Sequence, residues 1–458
     1  MPAAAVESAL PRAAGLPPGP KGHPLIGSMP ELRRDILGFM RGCARDYGNV
    51  VYFRFAHIPV CLLTHPDDIE SVLVRNSAKF VKSRDYRALA TILGNGLLTT
   101  EGATWRRQRR MVQPAFHREN ILRYAEVMVE FTERTLGGWR DGQSFDVHQA
   151  MMQLTLEIVA KCLFGANVAA EAGQVGEALQ VVMERFNDYA RLAMVLPKWL
   201  ALPRTSRMGK AVRRLDSIVY AIIQQRRSNP GSPEGSGDLL DMLLGQRDEA
   251  GAQMDDRELR DECMTLFLAG HETTALALSW TWYLLSQNPE AEAKLSSELR
   301  KVLAGRSPAP SDLPHLPYTD MVIKESLRLY PPAWGIGREA FEAGGFRLPA
   351  HTNVFIAPWV THRDPRYFSD PERFLPERWQ DDPIRRGVLP RFAYFPFGGG
   401  PRVCVGAGFA QMEAALLLAT IAQRFRLSLV AGQRIKLLPS VTLRPKHGVW
   451  MRIHAREP

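Results

Sequence analysis

Hydrophobic and polar positions are distributed in three different ways along these 458 residues, and each way predicts a different element. Val50 to Leu63 (Val-Val-Tyr-Phe-Arg-Phe-Ala-His-Ile-Pro-Val-Cys-Leu-Leu) is rich in β-branched and aromatic residues around a turn, which predicts a β-hairpin. From Asn120 to Arg227 apolar positions recur mostly three and four residues apart, as at Leu154, Ile158, Val159 and Cys162, which predicts successive amphipathic helices. From Cys263 to Leu285 nearly every position is apolar, the pattern of a helix buried all round. The fold class that follows is mainly α, with few strand pairs outside the hairpin.

Two breaker-rich stretches punctuate these elements. Pro17-Pro18-Gly19-Pro20-Lys21-Gly22-His23-Pro24 cannot form helix or central strand and reads as a stiff, extended lead-in. Ser228 to Gly237 has the composition of a surface loop. No internal repeat and no long linker divide the rest, so we expect a lead-in over 1–24 and a single large domain over 25–458.

The apolar run at 263–285 has the length of a membrane span, but His271-Glu272-Thr273-Thr274 sits in its middle. A carboxylate there would cost about 2.5–3.5 kcal/mol on an insertion scale, so a central helix of a soluble protein is the better reading. Met1 to Leu16 lack both a basic start and a continuous apolar core, which predicts neither signal peptide nor membrane anchor. Five scattered cysteines with no C-x-x-C pair argue against a disulfide framework and a cysteine zinc site, and favour the cytoplasm. Transient membrane contact around Ala193 to Leu202 during substrate entry is one use of that apolar stretch, and core packing is the other.

With 45% hydrophobic and 23% charged residues the chain can bury a large core. Its formal charge of +10 raises the question of an anionic partner. The most basic cluster, Trp105-Arg106-Arg107-Gln108-Arg109-Arg110, lacks the repeated basic and aromatic alternation of a single-strand binding groove, so no nucleic acid is expected. An acidic protein partner fits it better.

Chemistry enters with Phe397-Gly398-Gly399-Gly400-Pro401-Arg402-Val403-Cys404-Val405-Gly406. A lone cysteine is usually a small buried hydrophobe. Here glycines let backbone approach a flat cofactor, backbone N–H groups can reach the sulfur, and Arg402 offers a cation to an acidic substituent. A cysteine thiolate on haem iron favours O–O cleavage. In the long helix, Gly270 costs roughly 1 kcal/mol relative to alanine and needs a reason. Approach of its backbone to dioxygen would supply one, with Thr273 as hydrogen-bond donor and Glu272 as proton conduit. The alternative is that the threonine hydroxyls bond carbonyls one turn back.

Two other readings of these segments fail. His271-Glu272 opens an H-E-x-x-H zinc motif, but Ala275 occupies the second histidine position. The 398–408 loop lacks the Lys-Ser/Thr ending of a phosphate loop and the third glycine of a dinucleotide turn.

The loop matches Phe-x-x-Gly-x-Arg-x-Cys-x-Gly at every fixed position and so resembles the haem-binding loop of the cytochrome P-450 monooxygenases. Ala269-Gly270-His271-Glu272-Thr273-Thr274 looks like the distal-helix motif of that family, and the motifs stand in family order over almost the whole chain. The resemblance implies a triangular helical prism with small sheets, haem b as cofactor, Cys404 as its iron ligand, and Thr273 and Glu272 as the proton-delivering pair. It places Phe397, Gly398, Gly406, Ala269 and Gly270 against the haem, and Trp105, Arg109, Arg402 and Arg338 toward its propionates; a plain surface arginine is the alternative at 338. It assigns Glu325, Arg328 and Arg378 to a structural triad.

The implied activity is insertion of one oxygen atom from dioxygen into a hydrophobic small molecule of the terpenoid, carotenoid, fatty acid or steroid class. No flavin or iron–sulfur segment is left over, so electrons must come from a separate ferredoxin- or flavodoxin-like donor with its reductase, and an acidic donor would suit Arg106 to Arg110. The protein is expected to be a monomer without a transmembrane anchor. A peroxide-using or non-redox enzyme of the same fold, and a haem-based gas sensor, are the rival functions.

Overall fold

The computed structural model describes residues 15–165, 206–228 and 238–456, with isolated positions between 176 and 196. Among the described residues the helices of ten residues or more are α1 (Met29–Tyr47), α2 (Gly102–Val112), α3 (Arg118–Leu136), α4 (Val147–Phe164), α5 (Ser206–Ser228), α6 (Asp256–Gln287), α7 (Pro289–Leu303), α8 (Pro317–Leu329) and α9 (Ala407–Arg424). The strands are β1 (Val50–Phe55), β2 (Ile58–Leu63), β3 (Val81–Lys82), β4 (Ser144–Asp146), β5 (Ile336–Ala343), β6 (Phe346–Ile356), β7 (Phe425–Leu429), β8 (Leu437–Pro439), β9 (Leu443–Pro445) and β10 (Trp450–Ala455).

The expected hairpin is present as β1 and β2, paired antiparallel from Val50 opposite Leu63 to Phe55 opposite Ile58. It belongs to a five-stranded sheet of order β1-β2-β6-β5-β3. The longest hairpin, β5–β6, turns at Gly344 and Gly345, both at positive φ. A Gly-Gly pair between two strand-forming runs is a hairpin signal in its own right. Strand β3 closes the edge and sets Lys82 opposite Arg338 on β5. The lead-in runs along β1, where Tyr52 N donates to Pro18 O at 2.9 Å.

Helix α6 is the axis of the molecule. Asp255 caps it: its carboxylate accepts from Glu258 N at 2.8 Å while Glu258 accepts from Asp255 N at 3.2 Å, a capping box worth about 1 kcal/mol. From Leu259 to Leu285 it is buried almost throughout, as its unbroken apolar sequence requires. The exceptions that matter are Ala269, which is exposed, and Gly270 and Thr273, which are partly exposed, all on one stretch of its middle. Helix α4 packs along it, and a Cβ added at Gly270 would sit 3.2 Å from Val159 Cγ2. The missing side chain of Gly270 therefore faces α4. Close helix packing is one reason for this glycine, which also lines the cavity described below.

Glu325, Arg328 and Arg378 do meet. Arg328 donates from Nε and Nη2 to the two Glu325 oxygens at 2.8 Å each, and both side chains are 0% exposed. Its remaining donors reach the carbonyls of His362 (2.9 Å), Pro371 (2.7 Å) and Arg373 (3.1 Å). Glu325 also accepts from Arg378 Nε (2.9 Å), Trp379 Nε1 (2.9 Å) and Leu375 N (3.0 Å). Saturation on this scale is what lets a buried ion pair persist. It ties α8 to the meander 362–379 beneath it. Glu325→Ala strands two arginines and an indole N–H, and should lower unfolding free energy by about 3–5 kcal/mol in urea titrations.

Candidate active site

A cavity of about 400 Å³ lies where the 397–406 loop, the middle of α6, α2 and the β3–β5 edge come together. Of the residues singled out in the sequence, Cys404, Arg402, Trp105, Arg109, Arg338, Phe397, Gly398, Gly406, Ala269, Gly270, Glu272 and Thr273 all line it. Glu325, Arg328 and Arg378 do not, and stand away from it as structure.

The loop carrying Cys404 is shaped by backbone contacts. Cys404 N donates to Phe397 O at 3.0 Å, closing the loop on itself. Gly400 has φ +66°, and a Cβ there would overlap the carbonyl oxygen of Leu73, so the loop seats against that segment only as glycine. Burial raises the Cys404 thiol, while the Gly406 backbone N–H and the charge of Arg109 pull it back down. Cys404 is accessible to solvent by area yet enclosed by protein on nearly every side. The two agree once its accessible face is the one turned to the cavity. Cys43, Cys61, Cys162 and Cys263 are buried, and burial raises the thiol of each.

Cations crowd one side of the cavity. Lys82 and Arg338 are cross-strand partners, a placement that like charges make unfavourable. Arg402 bears on the same lysine, whose pKa is pushed down to about 7 by burial first and then by Arg402 and Arg338. Arg402 stacks over Trp105 with its guanidinium 4.8 Å from the ring centroid, and Arg109 Nη1 donates to Val403 O at 2.9 Å. Glu101 accepts from Lys82 N at 2.7 Å and Arg402 Nη1 at 3.0 Å; Asp85 bears on Arg338 and Glu262 on Lys82, but burial raises both of those carboxyls. A thiol at the wall, apolar side chains around it and basic groups gathered at one margin fit a haem with its two propionates.

On the facing wall, Thr273 Oγ1 donates to Ala269 O at 2.7 Å and Thr274 Oγ1 to Gly270 O at 3.3 Å, so both hydroxyls bond one turn back while lining the cavity. Glu272 is buried and held by Arg444 Nε at 2.6 Å and by the Thr442 hydroxyl. Burial alone would raise its carboxyl, but Arg444 outweighs that and leaves it below the usual carboxylate range. Glu272 is thus ionised and held by Arg444 and Thr442. His271 points away, its Nδ1 2.9 Å from Phe267 O.

The basic cluster is largely spoken for. Arg107 pairs with Asp248 (2.6 Å) and Glu258 (2.7 Å), Arg110 with Glu249, and Arg109 with the Cys404 loop. As a free basic patch it shrinks to Arg106 and the rim around it. Among the described residues no helix is long and apolar enough to cross a membrane. Nearly all of the apolar stretch at Ala193 to Leu202 lies outside the described residues.

Sequence reasoning missed Lys82, Glu101, Arg444 and a further acid, Glu262. They belong to no motif and acquire meaning only through contacts across the chain. Glu262 Oε2 accepts from Leu97 N at 3.1 Å, its Oε1 has no partner, and burial pushes its carboxyl up to about 8. A folded-state pKa above the unfolded value means that stability falls as pH climbs from about 4.5 to about 8, where the unfolded chain releases a proton that the folded one keeps. Glu262→Gln should therefore melt with the parent near pH 4 and above it near pH 9, as thermal scans at the two ends would show.

A family model described as Cytochrome P-450 matches residues 17–451. Cyclooctatin synthase of Streptomyces melanosporofaciens is 40% identical over 429 residues, covering 93% of this chain and 92% of that protein. Cyclooctat-9-en-7-ol 5-monooxygenase of the same organism is 36% identical, with 90% of each chain covered. Pentalenene oxygenase of Streptomyces avermitilis is 33% identical, over 97% of this chain and 98% of its own.

Proposed function

The chain belongs to the cytochrome P-450 family and is a haem-thiolate monooxygenase; we propose that it oxygenates a polycyclic terpenoid, with electrons from a separate ferredoxin- or flavodoxin-like protein. The observation that carries the substrate class is the cavity wall. Away from the basic margin, Leu89, Leu97, Leu98, Leu266, Ala277 and Val441 give it an apolar lining, which suits a hydrocarbon skeleton with few polar handles. Three relatives across nine-tenths or more of the chain are named for cyclooctatin, cyclooctat-9-en-7-ol and pentalenene, which favours this class over fatty acids, carotenoids and steroids.

When bound, haem supplies the oxygen chemistry: reductive cleavage of dioxygen with two electrons and two protons, and transfer of one oxygen atom to carbon. The protein's own residues hold and orient. Cys404 Sγ holds the iron, supported by the Gly406 N–H. Arg109, Arg402, Arg338 and Lys82 would take the propionates, with Glu101 bridging Lys82 N and Arg402. Thr273 turns its hydroxyl from Ala269 O to the cavity and hands on a proton. Glu272 passes protons when its bond to Arg444 opens, and otherwise fixes the 442–444 segment over the pocket. Donor docking falls to the rim at Arg106, since its neighbours are paired. A cytoplasmic monomer is consistent with cysteines that are all unpaired.

Three experiments test this reading. Cys404→Ser should abolish the red-shifted carbon-monoxide band of the reduced protein, with the fold retained by circular dichroism. With a surrogate donor and reductase, cyclooctat-9-en-7-ol or pentalenene should shift the ferric spin state and yield a product with one added oxygen. Thr273→Ala should lower product per electron pair by on the order of 10²-fold while leaving ligand affinity alone. A spin shift and turnover confined to fatty acids would refute the substrate class.

A further inference from the structure

Between the short helix Tyr86–Leu93 and α2 the chain crosses residues 94–101 without helix or strand, and Leu97 and Leu98 of this crossing line the cavity. A segment of this kind has few backbone partners of its own, so its peptide groups need others. Side chains from three elements supply them in a repeated way. Asn95 is held at both backbone groups: its N–H donates to Asp261 Oδ2 at 2.7 Å, and its carbonyl accepts from Gln108 Nε2 at 2.6 Å. Leu97, two residues on, is bracketed likewise: its N–H donates to Glu262 Oε2 at 3.1 Å, and its carbonyl accepts from Lys82 Nζ at 3.1 Å. Lys82 Nζ also donates to Thr100 O at 2.7 Å, and the Thr100 hydroxyl bonds Gln108 Oε1 at 2.5 Å.

The crossing lies flat on α6. A Cβ on Gly94, which has φ +66°, would overlap the Asp261 carboxylate, and one on Gly96 would overlap the Thr265 hydroxyl, so both positions need glycine. Asp261 is itself oriented by Arg260, whose Nη1 donates to Asp261 Oδ1 at 2.8 Å while Nη2 reaches Ile92 O at 2.9 Å. Asp261, Glu262 and Gln108 are buried, and all three stand behind the cavity wall rather than in it. Placing polar side chains there carries a desolvation cost that apolar packing would avoid. Their common effect is to fix two leucines at the cavity.

We propose that Asp261, Glu262, Gln108 and Lys82 are specificity-determining positioning residues: they hold the wall formed by Leu97 and Leu98 in one place, and so decide which ligand shapes, and which carbon of a ligand, the cavity accepts. The proposal rests on the monooxygenase reading of the cavity and is independent of the terpenoid class. Lys82 adds a link from this wall to the basic margin, where its strand sets it opposite Arg338. Two of its N–H groups carry Leu97 O and Thr100 O, which leaves the third for an acidic group of the cofactor. A wall that moves when Leu97 loses a bond changes the shape of the cavity without touching the iron ligand.

The test uses the haem-loaded enzyme and two probes that bind ferric haem through nitrogen: imidazole, which reports access to the iron, and 4-phenylimidazole, whose phenyl ring must also fit the wall. Glu262→Leu removes the acceptor for the Leu97 N–H, whereas Glu262→Gln keeps an oxygen there. Glu262→Leu and Gln108→Leu should each weaken 4-phenylimidazole relative to imidazole by about tenfold, and Glu262→Gln should keep the wild-type ratio. Deuterium exchange over residues 94–100, read by mass spectrometry, should quicken about tenfold in the two leucine variants and not in Glu262→Gln. A wild-type binding ratio in leucine variants whose exchange has quickened overturns the proposal, because the wall is then loose and ligand choice indifferent to it. Unchanged exchange also overturns it, since the bonds then hold nothing. If Glu262→Leu loses haem, Gln108→Leu decides; loss of haem in both assigns the grip to folding and overturns the proposal as well. Failure of cyclooctat-9-en-7-ol and pentalenene to react in the wild type overturns the substrate class alone, because the azole ratio does not depend on it.

Discussion

A single sulfur atom has to be presented to the cavity by backbone rather than by a side-chain hydrogen bond, and much of the structure follows from that demand. Cys404 is held by backbone: its own N–H bonds Phe397 O, and the Gly406 N–H reaches the sulfur. Arg109 fixes the loop from outside through Val403 O. Gly400 lets the loop pack against Leu73. Away from the cavity the Glu325–Arg328–Arg378 cluster ties helix α8 to the 362–379 meander. A loop alone would not hold a ligand to the tolerance that metal chemistry needs.

The second constraint is electrostatic. The cavity gathers Lys82, Arg109, Arg338 and Arg402, of which two are cross-strand neighbours, so the folded chain bears a charge imbalance that a dianionic cofactor relieves. Its acids are divided by environment. Glu272 has Arg444 and Thr442 and is kept ionised, while Glu262 has one backbone donor and is kept protonated. Carboxyl groups of one chemical kind thus occupy opposite protonation states within one core, the circumstance in which acids take on different roles.

What was legible in the sequence was whatever is local. The β1–β2 hairpin, the buried helix α6 and the loop around Cys404 each declare themselves within a few residues, and Glu325 and Arg328 are one helical turn apart. Their packing partners were not legible, because Lys82 meets Arg338 and Glu272 meets Arg444 across gaps of more than a hundred residues. Gly270 shows the same limit: its presence in an apolar helix demanded a reason, and the one supplied by the position of Val159 was not visible in the sequence. The arginines after Trp105 looked like a partner's landing site because their partners, Asp248, Glu249 and Glu258, lie some 140 residues on.

The central claim is that Cys404 binds haem iron through sulfur at the wall of this cavity. X-ray absorption at the iron edge of the purified ferric protein addresses it directly. The account predicts one iron–sulfur scattering path beside four porphyrin nitrogens; an iron coordinated by nitrogen and oxygen alone would contradict it.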